Sequence, residues 1–330
     1  MDLVKVSLAL ASTFLVAFRV PAEAQPAPNN HAPTLLVNVL DRNGGAVRDL
    51  TKDSFRVKVN GRASAIVEAS YSLAPRRIVV LLDMSGSMVE SRGQQKWEIA
   101  REALEDLLAD TPHEVPIALL AFADQVKDSF DFSQSRSSIS AWLKEGATTH
   151  GDNRIHGRTA LFDAVLSATR LLGPAKPGDA IYAITDAGDN SSHISARNTR
   201  KVLLDSKIRL FVFLFAEQLP FADVRSGTEA LTEMARATRG FVFGVPGRST
   251  GVEFMPSWVV YDYDGRTRDK IKLYTRALNI QVNGFYTLRF DSPIPAGKAH
   301  KVFLDIVDAK GNPRKDVAFT YSTILLPQLK

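Results

Sequence analysis

Between residues 76 and 245 short apolar runs alternate with amphipathic stretches, and few architectures accommodate both. Ile78-Val-Val-Leu-Leu82 is apolar at every position. A strand made from it must bury both faces, as in a parallel sheet covered by helices. Lys96 to Ala109 follows, with Trp97, Ala100, Leu104 and Leu107 on one helical stripe. The alternation then repeats. Ile117–Phe122, Ala180–Thr185, Leu210–Phe215 and Phe241–Val245 read as strands, and Val126–Phe132 as an edge strand. Ser138–Lys144, Ala160–Leu172, Ala196–Ser206 and Thr228–Thr238 read as helices. This pattern predicts an α/β unit over 76–246 on a doubly wound, mostly parallel sheet.

The flanks carry a different pattern. In 34–73, Leu35–Leu40 is an apolar strand, Phe55-Arg-Val-Lys-Val59 alternates strictly, and Asn60-Gly61 marks a hairpin before Ile66-Val67. In 284–325, Phe285–Phe290, Lys301–Asp308 and Val317–Thr323 read as strands. Between the α/β unit and that segment, 247–283 reads as linker and helix. Gly247–Asp264 is loop, and Thr267–Val282 is helical with Asn283-Gly284 as its C-cap. Asp41-Arg-Asn-Gly44 with Arg48-Asp49 is echoed, at one constant interval, by Asp308-Ala-Lys-Gly311 with Lys315-Asp316. Two or three strands are marginal alone. The expectation is one small β-sandwich shared by both flanks, with Phe55, Val57 and Val59 facing Phe303 and Ile306-Val307, and with the α/β unit inserted between them.

The first residues read as an address. Lys5 is followed by a mostly apolar Val6–Phe18, then Pro21-Ala-Glu-Ala-Gln25 with an A-x-A cleavage site after Ala24. The run is shorter than the ~20 residues that span a bilayer. Residues 1–24 are therefore expected to be a cleaved signal peptide, and Pro-rich 25–33 a linker. No later segment is long and apolar enough to cross a membrane, so the mature chain is expected to be secreted or periplasmic. The 330 residues contain no Cys, which excludes a disulfide framework or a lipid anchor on cysteine. The net charge of +5 does not argue for nucleic acid. Arg197, Arg200, Lys201, Lys207 and Arg209 read as a solvated face, and no base-stacking aromatics interleave with them.

Chemistry concentrates at strand ends. Asp83-Met-Ser85-Gly-Ser87 follows the first buried strand, Thr159 opens a helix, and Asp186 ends the Ala180–Thr185 strand. In a doubly wound sheet those ends share one edge, where ligands bind. Two carboxylates and three hydroxyls can meet there. They are hard oxygen donors, suited to Mg²⁺, Mn²⁺ or Ca²⁺ rather than zinc. Two aspartates match the charge of a divalent ion and leave room for an outside carboxylate.

These residues resemble the metal-ion-dependent adhesion site of von Willebrand factor type A domains. Asp83-x-Ser85-x-Ser87, Thr159 in Gly157-Arg-Thr-Ala-Leu-Phe-Asp163, and Asp186 in Ile184-Thr-Asp-Ala-Gly-Asp-Asn190 carry the likeness. Over about residues 34 to 290 the chain is most similar to bacterial secreted proteins called VWFA-related. The resemblance implies a Rossmann-like α/β fold with six main strands and a Mg²⁺-type site. It implies direct coordination by Ser85, Ser87 and Thr159, and coordination by Asp83 and Asp186 directly or through water. Arg158 and Ala187 stand where Gly is usual, and Arg239-Gly240 replaces a Gly pair.

Taken singly, Ser87 and Thr159 would read as helix N-caps; the full set in register favours the metal. His156, Asp189 and Asn190 are candidates for a partner-binding rim. His150-Gly-Asp152…His156 fits a polar loop better than a second metal site, and Asp262-Tyr-Asp264-Gly265 fits a turn. The function expected is a non-enzymatic adhesion or assembly module, in which the ion captures an Asp or Glu of a protein partner. The alternatives are a metal-dependent hydrolase, for which His156 and His193 are the nearby histidines, and a structural envelope component.

Overall fold

The computed structural model describes residues 34–42, 45–72, 76–88, 94–145, 154–176, 178–215, 222–243, 275–276, 278–290, 300–321 and 324–325. Residues 1–24 and 25–33, expected as leader and linker, together with His150, Asp152 and the 247–264 stretch with Asp262–Gly265, lie outside the described residues.

The central sheet has six strands: β5 (Ile78–Asp83), β6 (Ile117–Phe122), β7 (Val126–Phe130), β8 (Ala180–Thr185), β9 (Arg209–Leu214) and β10 (Val242–Phe243). Their order is β10-β9-β8-β5-β6-β7. All pairings are parallel except that of edge strand β7 with β6. Every residue of β5, β6, β8 and β9 is buried, and their side chains divide by parity. Ile78, Val80 and Leu82 face one core with Trp97, Ala100, Leu104 and Leu107 of α1 (Gln94–Asp110). Val79 and Leu81 face another, with Leu161, Val165 and Leu172 of α3 (Leu161–Leu172), Leu203 of α4 (Ala196–Asp205) and Leu231 of α5 (Ala222–Ala237). α2 (Arg136–Glu145) adds Ile139 and Leu143 to the α1 side. Period 2 in the strands and burial on both sides account for the continuous apolar runs.

The flanking strands interleave. The N-terminal set is β1 (Thr34–Asp41), β2 (Phe55–Val59), β3 (Arg62–Ser64) and β4 (Ile66–Ser72). The C-terminal set is β11 (Phe285–Phe290), β12 (His300–Ile306), β13 (Val317–Tyr321) and β14 (Ile324–Leu325). One sheet runs β13-β1-β11-β4 and the other β14-β12-β2-β3. Each thus mixes strands from both flanks, and the sandwich core joins Leu35, Val37, Phe55 and Val57 to Leu288, Val302, Leu304 and Ile306. Two points correct the sequence expectation. β2 and β12 are neighbours in one sheet, with Phe55 opposite Ile306 and Val57 opposite Leu304, so they share a face rather than oppose one another. Phe303 lies on the other face. Strict alternation puts Val302, Leu304 and Ile306 inside, and Phe303 outside at 48% exposure.

The echoed loops have one geometry. Asp41 N donates to Gly45 O, and Gly45 N donates to Asp41 Oδ1, both at 2.8 Å. Asp308 N donates to Asn312 O at 2.9 Å, and Asn312 N to Asp308 Oδ1 at 2.8 Å. The bridges Leu40–Ala46 and Val307–Pro313 close both loops.

The sandwich is anchored to the α/β unit around the helical segment 278–283. Asn38 Nδ2, from β1, donates to the carbonyls of Gln281 and Gly284 at 2.7 Å each. Arg209 also belongs here, which corrects its assignment to a solvated face. It is 1% exposed and donates to the carbonyls of Gly178 at 3.0 Å and Val282 at 3.1 Å. Arg197, Lys201 and Lys207 are exposed. Among the described residues no helix is long and apolar enough to cross a membrane.

Candidate metal centre

Chain order places β6 and β7 on one side of β5, and β8, β9 and β10 on the other. The strand order therefore reverses beside β5, and the carboxyl ends of the strands at such a point are where open α/β sheets bind ligands. Asp83 is the last residue of β5, and Asp186 directly follows β8.

Asp83 is 0% exposed. Its Oδ1 accepts the Ser85 N–H at 2.9 Å, and its Oδ2 accepts the Thr185 hydroxyl at 2.6 Å. Thr185 in turn accepts the Ala187 N–H at 3.0 Å. Residues 86–88 form a 3-10 turn that brings the Ser85 and Ser87 hydroxyl oxygens within 3.1 Å. The Gly86 N–H donates to Gly157 O at 3.1 Å, tying this loop to the one that carries Thr159.

Thr159 and Asp186 are both buried. Their loops are joined by the Thr159 N–H donating to Asn190 Oδ1, and by the N–H groups of Asn190 and Ser191 donating to Thr159 O, all at 3.0 Å. A β-carbon built on Gly188 would stand 3.7 Å from Asp186 Oδ1 and 3.8 Å from Thr159 Oγ1. Both oxygens thus lie within van der Waals reach of one point beside Gly188. The three loops bring Asp83, Ser85, Ser87, Thr159 and Asp186 to this edge.

The electrostatics favour a cation. Burial, and then the Asp186 charge, push the Asp83 carboxyl up to about 7. Among the described residues no group of three or more His, Cys, Asp or Glu that could hold a metal ion is present; the hydroxyls of Ser85, Ser87 and Thr159 are further oxygen donors at this edge. Two carboxylates with three hydroxyls fit Mg²⁺, Mn²⁺ or Ca²⁺ better than zinc.

The proposed rim residues differ in their surroundings. His156 is exposed, and its carbonyl accepts Lys127 Nζ at 2.6 Å. Asp189 Oδ1 accepts the Leu161 N–H at 2.9 Å and the Ser192 hydroxyl at 2.6 Å, capping α3. Asn190 is occupied with Thr159, as described. His193 Nδ1 lies 2.8 Å from Asp163 Oδ2.

Two residues at the site were not singled out from sequence. Thr185 lay inside an apolar strand. Lys96 reaches in from α1, its Nζ 3.1 Å from Asp186 Oδ2 and 3.2 Å from Ser87 O. Its signal was present: Lys96 shares a helical stripe with Ala100, Ala103 and Leu107, all buried.

Ala187 and Arg239, two of the departures from the glycine pattern, have positive φ, 66° and 69°. Both hold conformations that glycine adopts more cheaply.

Residues 78–212 match the family profile of the von Willebrand factor type A domain. No functionally curated protein matches the chain. Among solved structures, a von Willebrand factor type A protein from Catenulispora acidiphila is 13% identical with a TM-score of 0.45, covering 91% of this chain and 75% of its own. Proximal thread matrix protein 1 from the mussel byssus is 14% identical with a TM-score of 0.44, covering 68% and 50%. The PilB minor pilin from Streptococcus sanguinis is 13% identical with a TM-score of 0.38, covering 63% and 62%.

Proposed function

We propose, from the premise that residues 78–212 form a von Willebrand factor type A domain, that this chain is an extracytoplasmic, non-enzymatic protein-binding module that captures an acidic side chain of a partner protein. Asp83, Ser85, Ser87, Thr159 and Asp186 would hold a divalent cation, Mg²⁺ or alternatively Mn²⁺ or Ca²⁺. When bound, the cation supplies an oxygen-seeking position that a partner's Asp or Glu fills. The leader at 1–24 supports export.

One observation carries this reading. Asp83 and Asp186, 0% and 2% exposed, lie at the reversal point of the sheet with the hydroxyls of Ser85 and Ser87 on Asp83's own loop and of Thr159 on a third loop. Lys96 offsets only one of these two buried carboxylates, a buried carboxylate left uncompensated is costly, and two are enough to balance a divalent charge. The neutral Ser85, Ser87 and Thr159 add donors without over-neutralising it. Asn190 and Asp189 keep the Thr159 loop in place, and the Thr185 hydroxyl fixes one Asp83 oxygen.

The test is a pull-down from native extract with the full chain as bait, in Mg²⁺ and in EDTA. Wild type should retain a partner only with Mg²⁺, and Ser87→Ala or Asp83→Ala should lose it. Equal recovery of the same partner in EDTA and by Asp83→Ala would overturn the proposal.

A further inference from the structure

A cation already stands at Asp186, and it belongs to the chain. Lys96 Nζ is 3.1 Å from Asp186 Oδ2 and 3.2 Å from the Ser87 carbonyl. The two side chains are 7% and 2% exposed, so the pair is buried. It touches two of the three loops that make the candidate metal centre. Lysine is costly on a buried helical stripe unless it finds a partner, and its flexible stem lets the charge reach one.

We propose that Lys96 is an internal competitor for the metal. Its ammonium holds the Asp186 carboxylate and the Ser87 carbonyl, and must leave Asp186 before a divalent ion can engage that carboxylate. The inference rests on the proposed function, since it assumes the ion binds there. The argument is one of charge. With both carboxylates ionised, one ammonium offsets one of them and leaves the pocket with one net negative charge. A divalent ion added beside a retained ammonium would make it net positive, and like charges a few ångströms apart in a buried site repel strongly. Ion entry and lysine withdrawal are therefore one exchange. Ser87 is half-buried, so the exchange takes place at the solvent side of the pocket.

Exchange weakens apparent affinity. The ion binds only the fraction of molecules in which Asp186 is released, and its apparent Kd rises accordingly. The module would then load where divalent ions are plentiful and empty where they are scarce. The lysine also keeps the metal-free pocket from being an uncompensated pair of buried carboxylates.

The experiment is calorimetric titration of MgCl₂ into the EDTA-stripped, dialysed full chain, for wild type, Lys96→Met, Lys96→Gln, Lys96→Arg and Asp186→Ala. Lys96→Met keeps the apolar stem and removes the charge. Lys96→Gln also removes the charge, on a shorter stem that retains an N–H donor, and it serves if Lys96→Met fails to fold. Both should bind Mg²⁺ at least ~tenfold more tightly than wild type, Lys96→Arg no more tightly, and Asp186→Ala should show no binding. In thermal unfolding the stripped Lys96→Gln chain should melt below wild type, and Mg²⁺ should raise its Tm further than it raises wild type's. If wild type binds Mg²⁺ and both neutral variants bind equally or more weakly, the competitor role is overturned while the metal site stands. If neither wild type nor either neutral variant binds Mg²⁺ while circular dichroism shows them folded, the metal site itself falls and the competitor role with it.

Discussion

Thr185 Oγ1 donates a 2.6 Å hydrogen bond to Asp83 Oδ2, joining the ends of two adjacent parallel strands. The same hydroxyl accepts the Ala187 N–H, so one small side chain orients a carboxylate and begins the turn that carries Asp186. Thr185→Val preserves shape but leaves a fully buried carboxylate oxygen without its donor. A loss of ~1–3 kcal/mol in urea unfolding is expected, together with weaker Mg²⁺ binding by calorimetry. Unchanged stability would mean that Asp83 is held by other contacts.

Metal should stabilise the folded chain. An ion that binds only the native state adds about 2.7 kcal/mol at a hundredfold excess over its Kd. Thermal unfolding in millimolar Mg²⁺ against EDTA should show a higher Tm with the ion for wild type and no difference for Asp186→Ala. An equal shift in the mutant would place the ion elsewhere.

Without metal, stability should depend on pH through Asp83. Its folded pKa is about 7 against an ordinary value of 3.8. The raised folded value means that the native state holds this proton more tightly than the unfolded chain does. Asp83's contribution to stability is thus fullest below about 4 and is lost as pH rises through 7. Urea midpoints in EDTA should decline over this window, and Asp83→Asn should flatten the decline. The same slope in the variant would assign the effect to another group.

Leu288 sits at the centre of β11, 0% exposed, between β1 and β4. Leu288→Ala should cost ~2–5 kcal/mol. Both flanks share this core, so limited proteolysis should cut 34–72 and 285–321 together, before the α/β unit. Cleavage confined to one flank would show that the other folds alone.

Arg239, two residues past the end of α5, has a left-handed φ of 69°, and the Gly240 N–H returns to Ala235 O at 2.9 Å. That is the position where helices prefer glycine. Arg239→Gly should therefore stabilise the chain by roughly 0.5–1 kcal/mol in urea, after allowing for the freer unfolded chain. A clear loss would mean that the arginine side chain contributes more than its backbone costs.

How legible these features were depends on how local their causes are. The strands of the central sheet announced themselves because burial on both faces leaves Ile78–Leu82 without a polar position. Asp83, Ser85 and Ser87 follow that strand within five residues, so their grouping needed only the direction of the sheet. Other features depend on distant residues. Arg209 sits among surface cations in sequence but is drawn inward by the carbonyl of Val282, and no local pattern announces that contact. Phe303 is apolar and so reads as core, although the alternation of Val302, Leu304 and Ile306 assigns it to the opposite face. Lys96 looked like a helix start, and only its spacing from Ala100 and Ala103 hinted that the charge lies on the core side. The order of strands within the sandwich follows from pairings across the whole chain and had no local signature.

The pairing of β4 with β11 has a mechanical consequence. Ser72 and Phe285, which bracket the α/β unit in the chain, are direct partners across that ladder. The inserted unit is therefore a side loop closed at its base by hydrogen bonds. Tension entering through β1 and leaving through β13 is carried by the β1–β13 ladder, where Val37 faces Tyr321, and bypasses the unit. A ligand held at Asp83 and Asp186 would be shielded from stretching of the chain until the sandwich itself gave way.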